Sequence, residues 1–334
     1  MPCYVPARWR SIRLILVPPT KLPEFEDHCE SVMKENFQGC LLGAAIGDAL
    51  GFPFKGLSAT DIGEYGRFES LREFQPVPSV RSAPGELADE GQLLLLTLES
   101  ICTQRALDEA DLVRRLKGWF RSHPKDMTPL VRHVLGRLQA GESLAEASEG
   151  ASFEPEFSPP DGGHLTRCLP VALYRVMDAA RRQADMVTVA RLTHWDDLAV
   201  QAALVLGEFV VQLVQGKTHA PEACLPSDVL PEVRQAVVSS SDPTQLDVSG
   251  SALGALGVGL WALKTATNVE EGLVKVVSLG GATDTNAAVA GALLGAKLTR
   301  LAFPQRWVYR LEGHARLEVL GARLFELATQ AVHV

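Results

Sequence analysis

The sequence predicts an all-α protein, and three observations carry that prediction. Apolar residues recur with the 3.6-residue period of a helix along most of the 334-residue chain, strand-like alternation is scarce, and most periodic runs open at Asp, Ser or Thr while many close at Gly or Pro. The first run, residues 37–51, carries Gly39, Gly43, Gly47 and Gly51, a small-residue stripe on one helix face. The next, 90–104, starts at the acidic pair Asp89-Glu90 before the apolar run Leu93 to Leu96. Residues 108–122 and 128–140 open at Asp108 and Thr128, good caps for unpaired helix N–H groups.

A Gly162-Gly163 turn feeds a predicted helix over 164–182. A further run over 185–215 is interrupted by Thr193-His194-Trp195-Asp196-Asp197. Helices are also predicted over 230–239, 248–265, 269–278, 284–299 and 313–332. The run at 284–299 follows Gly280-Gly281 and repeats the small-residue stripe at Ala287, Gly291 and Gly295. Residues 57–84, 141–163 and 217–227 read as loops. No fixed-length repeat stands out. The expected organisation is one compact domain over 33–334; residues 1–32 are either a loosely attached extension or lie ahead of an alternative start at Met33.

Composition bounds the function. Hydrophobic residues make up 46% of the chain, enough for a sizeable core. A net charge of −8 argues against general binding to nucleic acid or anionic membrane, although a phosphate-bearing small molecule can still be held by local N–H groups. The six cysteines, Cys3, Cys29, Cys40, Cys102, Cys168 and Cys224, form no C-x-x-C pair and read as reduced thiols. No apolar run approaches the ~20 residues of a membrane span, and the run Leu14 to Val17 is too short for a secretory signal. A cytoplasmic protein is the expectation.

The residues that could carry chemistry cluster at helix starts. Asp89 and Glu90 serve equally as first-turn capping acids or as paired metal ligands. Asp284 and Thr285 pose the same choice, with a glycine turn that lets backbone approach a ligand. The small-residue stripes are ordinary close packing, or packing that brings Asp48 and Asp284 to one pocket. Asp161-Gly162-Gly163-His164 is an ordinary turn or an anion-binding helix start, with Asp161 opposing an anion. His194 is either a satisfied core histidine or part of a polar pocket wall.

Taken together, these segments resemble the ADP-ribosylglycohydrolase family. Gly47-Asp48-Ala49-Leu50-Gly51 is similar to the family's opening G-D-A-L-G helix, and Ala88-Asp89-Glu90-Gly91 falls where it has T-D-D-T. Asp161 to Pro170 resembles its G-N-G-S-L-M-R-x-x-P loop, Thr193-His194 its S/T-H segment, and Gly280 to Thr285 its G-G-D-T-D-T signature. The resemblance implies an all-α orthogonal bundle of the ADP-ribosylglycohydrolase type. It implies one or two Mg²⁺ or Mn²⁺ ions at the bottom of a cleft, a monomer, and ADP-ribose or an ADP-ribosylated substrate as ligand. Carried over by position, Asp89, Glu90, Asp284 and Thr285 would be metal ligands, with Asp89 and Glu90 catalytic. Asp48, Gly162, Gly163, His164 and His194 would contact substrate.

Five departures bear on that expectation. Ala88 removes a hydroxyl ligand, Gly91 stands in place of the next Thr, Ala282 removes a carboxylate, Glu90 lengthens one ligand by a methylene, and Lys55 stands where an acidic residue is usual. Three functions fit: a hydrolase of an ADP-ribosyl glycosidic bond, a protein that binds ADP-ribose without turnover, and a hydrolase redirected to another ribosyl substrate.

Overall fold

The computed structural model describes residues 27–64, 70–217, 222, 225–226 and 228–330. The extension expected over 1–32 lies outside the described residues as far as residue 26. Helices account for the regular structure, and the only β pairing among the described residues is three isolated bridges.

Among the described residues fifteen α-helices follow in order. They are α1 (Asp27–Gly51), α2 (Ala59–Glu64), α3 (Asp89–Gln104), α4 (Glu109–Arg121), α5 (Pro129–Ala140), α6 (Leu144–Ala151), α7 (Leu165–Tyr174) and α8 (Ala179–Arg191). After these come α9 (Asp197–Val214), α10 (Pro231–Ser239), α11 (Ala252–Thr265), α12 (Val269–Ser278), α13 (Thr283–Leu298), α14 (Gln305–Arg310) and α15 (His314–Gln330). Side-chain caps fix many of the starts. Asp108, Thr128, Asp178, Asp196, Ser251 and Asn268 each accept from a backbone N–H in the first turn of the helix that follows.

Four sequence expectations need correction. The run at 164–182 is two helices, because the chain turns after Tyr174 and restarts at the Asp178 cap. The supposed loop at 141–163 contains α6, started by a reciprocal capping box between Ser143 and Glu146. The supposed loop at 57–84 contains α2 and two 3₁₀ turns. Two stretches, Ser31–Phe54 and Asp197–Val214, are long and apolar enough to cross a membrane by length and composition, contrary to the expectation of none, and both are mostly buried inside the protein.

The centre of the bundle is the antiparallel pair α1 and α13. A methyl group added at Gly43 would lie 2.0 Å from the carbonyl oxygen of Gly291, and one at Gly47 1.9 Å from that of Ala287. One added at Gly295 would lie 1.9 Å from the Gly39 carbonyl oxygen. The two backbones therefore touch along the whole stripe, which any larger side chain would prevent. This contact brings the C-terminal end of α1, with Asp48, beside the N-terminal end of α13, with Asp284.

Candidate functional site

Three loops meet at that end of the pair. Gly280 and Gly281 both have positive φ (75° and 76°), a conformation that glycine adopts without strain. A methyl group at Gly281 would lie 2.1 Å from the Val248 carbonyl oxygen. The turn they make is joined by backbone hydrogen bonds to the segment after α1: Gly56 N–H donates to Gly281 O and Gly281 N–H to Leu57 O, each at 2.8 Å. The 161–163 loop is tied to the start of α11 in the same way, by Gly162 N–H to Gly250 O (2.8 Å) and Ala252 N–H to Pro160 O (2.9 Å). Finally, Asp48 Oδ2 accepts from Ala88 N–H at 2.8 Å, which anchors the start of α3 to α1.

The result is a buried group of carboxylates. Asp48, Asp89, Glu90 and Asp284 are all essentially inaccessible. Asp89, Glu90, Asp126 and Asp284 each place one oxygen within 4.8 Å of the others, an arrangement that could hold a metal ion. Thr285 donates its hydroxyl to Glu90 Oε1, and Thr166 donates to the Glu90 carbonyl oxygen at 3.2 Å. Five of the residues singled out from sequence, Asp48, Asp89, Glu90, Asp284 and Thr285, are therefore brought together.

Electrostatics follow from crowding. Burial, and then the neighbouring Asp284 charge, pushes the Glu90 carboxyl up to about 8. Burial raises Asp48 and Asp89 well above the ordinary carboxylate range, with neighbouring acids adding to it, and burial raises Asp284 as well. Asp126 moves down instead: burial raises it, but the Lys55 ammonium outweighs that.

Lys55 is the cation of the cluster. Its Nζ lies 2.5 Å from Asp126 Oδ2, 2.7 Å from Asp284 Oδ2 and 4.0 Å from Asp89 Oδ1. The hard-oxygen donor set suits one divalent cation in its chemistry, but the space between Asp126 and Asp284 is taken by this ammonium. For a second ion the fit fails, since Ala88 and Ala282 offer no donor where the resemblance expects a hydroxyl and a carboxylate.

The second group of predicted residues flanks the first. A methyl group at Gly162 would lie 3.1 Å from Thr285 Cγ2, so the 161–163 loop abuts the carboxylate cluster. His164 and His194 stack with ring centroids 4.3 Å apart. His164 Nε2–H donates to the Ala199 carbonyl oxygen (2.8 Å), which leaves Nδ1 as a buried acceptor without a partner. His194 Nε2–H donates to Asp161 Oδ1 (2.9 Å), and its Nδ1 accepts from the Thr193 hydroxyl (2.8 Å). Burial lowers both imidazoles, which favours their neutral forms. Burial raises Asp161, but His194 and the Gly163 N–H, which donates to Asp161 Oδ1 at 2.9 Å, overcome that and hold it well below the carboxylate range. A carboxylate oxygen thus occupies the Gly163 donor that the sequence offered to a phosphate. Arg167, fully buried behind this loop, donates to the Thr193 hydroxyl.

Two contributors escaped the sequence reading. Asp126 lies in the segment before α5 and belongs to no motif. Thr128 caps α5 as its sequence position predicts, and its backbone N–H also donates to Asp89 Oδ2 at 3.3 Å. Among the described cysteines, burial pushes the Cys102 thiol up to about 11 and Cys168 to about 12, which leaves neither a nucleophile at neutral pH.

An all-α bundle whose buried acids come from the ends of α1, α3 and α13 defines a class, and comparison with known proteins gives the same class. The ADP-ribosylglycohydrolase family model matches residues 30–332. A protein of Archaeoglobus fulgidus without an assigned function is 28% identical over 320 residues, covering 90% of this chain and 99% of its own. The ADP-ribosyl-[dinitrogen reductase] glycohydrolase of Rhodospirillum rubrum is 27% identical over 282 residues, covering 84% of this chain and 92% of its own. A solved structure described as an ADP-ribosylglycohydrolase-related protein complex superposes with a TM-score of 0.75 at 28% identity, over 89% of this chain and 99% of that one. The chain belongs to the ADP-ribosylglycohydrolase family.

Proposed function

We propose that the protein hydrolyses an ADP-ribosyl glycosidic bond at the carboxylate cluster. One observation carries this reading: the segments 88–91, 161–167 and 280–285, far apart in sequence, converge with Asp48 on one buried acidic site, where Thr285 bonds Glu90 and Gly162 abuts Thr285. Relatives named for ADP-ribosyl glycohydrolase and ADP-ribosylarginine hydrolase activity, from Rhodospirillum rubrum and Pseudomonas putida, support the reaction class.

Glycosidic cleavage passes through an oxocarbenium-like state, so a base must take a proton from water while an acid returns one to the leaving group. Asp89 and Glu90 are adjacent and buried, and burial raises both carboxyls, Glu90 to about 8, so Glu90 can enter the reaction holding a proton at neutral pH. One carboxylate of the pair accepts the water proton as the C–O bond forms, and the other supplies a proton to the leaving nitrogen or oxygen. The oxygens Asp48 Oδ1, Asp89 Oδ1, Glu90 Oε2 and Asp284 Oδ1 have no hydrogen-bond partner and can accept from ribose hydroxyls. Gly162, His164 and His194 form the wall on which the rest of the ligand would rest. An Mg²⁺ or Mn²⁺ ion entering here would be held by Asp89, Glu90, Asp126 and Asp284 and would polarise ribose oxygens.

The test is release of ADP-ribose from ADP-ribosylated protein, followed chromatographically. Asp89→Asn is expected to lower the rate at least ~100-fold, the usual scale for losing an acid–base group. Release unchanged in that variant would overturn the mechanism. ADP-ribose binding by calorimetry without release in the wild type would favour the binding-only reading, which the missing ligands at Ala88 and Ala282 motivate.

A further inference from the structure

We propose that Lys55 is the resident cation of the acidic site, and that its ammonium keeps divalent ions out. The inference rests on the site reading above and assigns its cation. Three observations support it.

The first is placement. Lys55 follows the 3₁₀ turn Phe52–Phe54 and precedes Gly56, whose N–H donates to Gly281 O at 2.8 Å. Its backbone is thus fixed against the same turn that positions Asp284. An ammonium delivered on a tethered stem competes at high effective concentration with any ion from solution.

The second is the choice of oxygens. Nζ sits 2.5 and 2.7 Å from Asp126 Oδ2 and Asp284 Oδ2 and 4.0 Å from Asp89 Oδ1. These three acids, with Glu90, are the four that converge within 4.8 Å. A divalent ion bonds such oxygens at about 2.0–2.6 Å. An ion on Asp126 and Asp284 would share those carboxylates with Nζ and meet a like charge at close range, in a site where screening by water is weak.

The third is what the remaining acids lack. Asp89 Oδ1, Glu90 Oε2 and Asp284 Oδ1 belong to side chains that are nine-tenths or more buried, and none has a hydrogen-bond partner. Among the described residues Lys55 is the cation within ion-pair distance of Asp89 and Asp284, and Ala88 and Ala282 cannot add a ligand that would favour a metal instead. The Lys55 side chain is 30% exposed, so exclusion is a competition that an excess of metal or removal of the charge would reverse.

The experiment titrates Mn²⁺ into the full chain and follows free Mn²⁺ by electron paramagnetic resonance, with melting curves in EDTA and in Mn²⁺. For the wild type, micromolar Mn²⁺ should stay free, and EDTA should change neither the melting temperature nor ADP-ribose affinity measured by calorimetry. Lys55→Met, which keeps the stem and removes the charge, should take up one Mn²⁺ at least ~10-fold more tightly than the wild type, and not two. Tight Mn²⁺ uptake by the wild type, or equal affinity in both proteins, would overturn the proposal. Should Lys55→Met fail to fold, the wild-type titration and EDTA melts still decide. Failure of the functional reading is separate: it would show as no ADP-ribose binding or release under any condition, whatever the Mn²⁺ results.

Discussion

Glu90 shows how much of this site is set by a single carboxyl. Its pKa of about 8, against an ordinary 4.5, arises first from burial and then from the Asp284 charge. The folded protein therefore binds a proton that the unfolded chain releases anywhere between those values, and the Glu90 contribution to stability falls as pH rises from about 4.5 to about 8. Glu90→Gln, which cannot ionise, should flatten that part of the stability profile, checked by urea unfolding at pH 5, 7 and 8.5. An equally steep profile in the variant would place the titration elsewhere. Sequence made Asp89, Glu90 and Asp284 visible because each opens a helix next to glycine or an apolar run. Asp126 was not visible, because His123-Pro124-Lys125-Asp126-Met127-Thr128 shows only a helix cap at its end, and proximity to Lys55 is a tertiary fact. The Asp161 contact with Gly163 and His194 was likewise half legible: the charge opposing an anion could be seen, but not its capture of the loop's own donor.

At the scale of elements, the glycine stripes did more than the helix boundaries. Spacing of four residues marked one face on each of α1 and α13, and the structure pairs those faces with backbone in contact. Gly43→Ala places a methyl group 2.0 Å from the Gly291 carbonyl oxygen, which only backbone displacement can relieve. Overpacking of this kind costs ~1–3 kcal/mol or more, and a loss of at least that size is expected in denaturant unfolding. Because the same contact sets the distance from Asp48 to Asp284, ADP-ribose release should fall as well. A fully stable Gly43→Ala protein would mean that the two helices can separate at no cost. Boundaries were harder to read where apolar periodicity ran through a break, as between α7 and α8, since Pro170 lies inside α7 and the turn follows four residues later. The helix α6 escaped because it has only eight residues, although its capping pair Ser143 and Glu146 was in plain sequence.

For the whole molecule, the order of motifs along the chain was legible and their spatial meeting was not. Composition and periodicity gave an all-α protein, and the resemblance gave the family. The resemblance put Lys55 where an acidic residue is usual, but its pairing with Asp126 and Asp284 is a tertiary fact. A ligand bound where α1, α3, α7 and α13 meet touches elements from both ends of the described chain, so it should stabilise the fold as a unit. ADP-ribose at about a hundred times its dissociation constant should add ~2.7 kcal/mol to unfolding stability, seen as one concerted rise of a single thermal transition. A shift confined to part of a multiphasic melt would mean that the ligand holds only some of these elements. The α1–α13 seam has one more consequence, for synthesis of the protein. Its two halves lie more than two hundred residues apart, between Gly51 and Thr283. The carboxylates of the site can therefore gather only after the ribosome has released most of the chain, and a nascent chain that stops before Thr283 carries Asp48, Asp89 and Glu90 without the helix that assembles them.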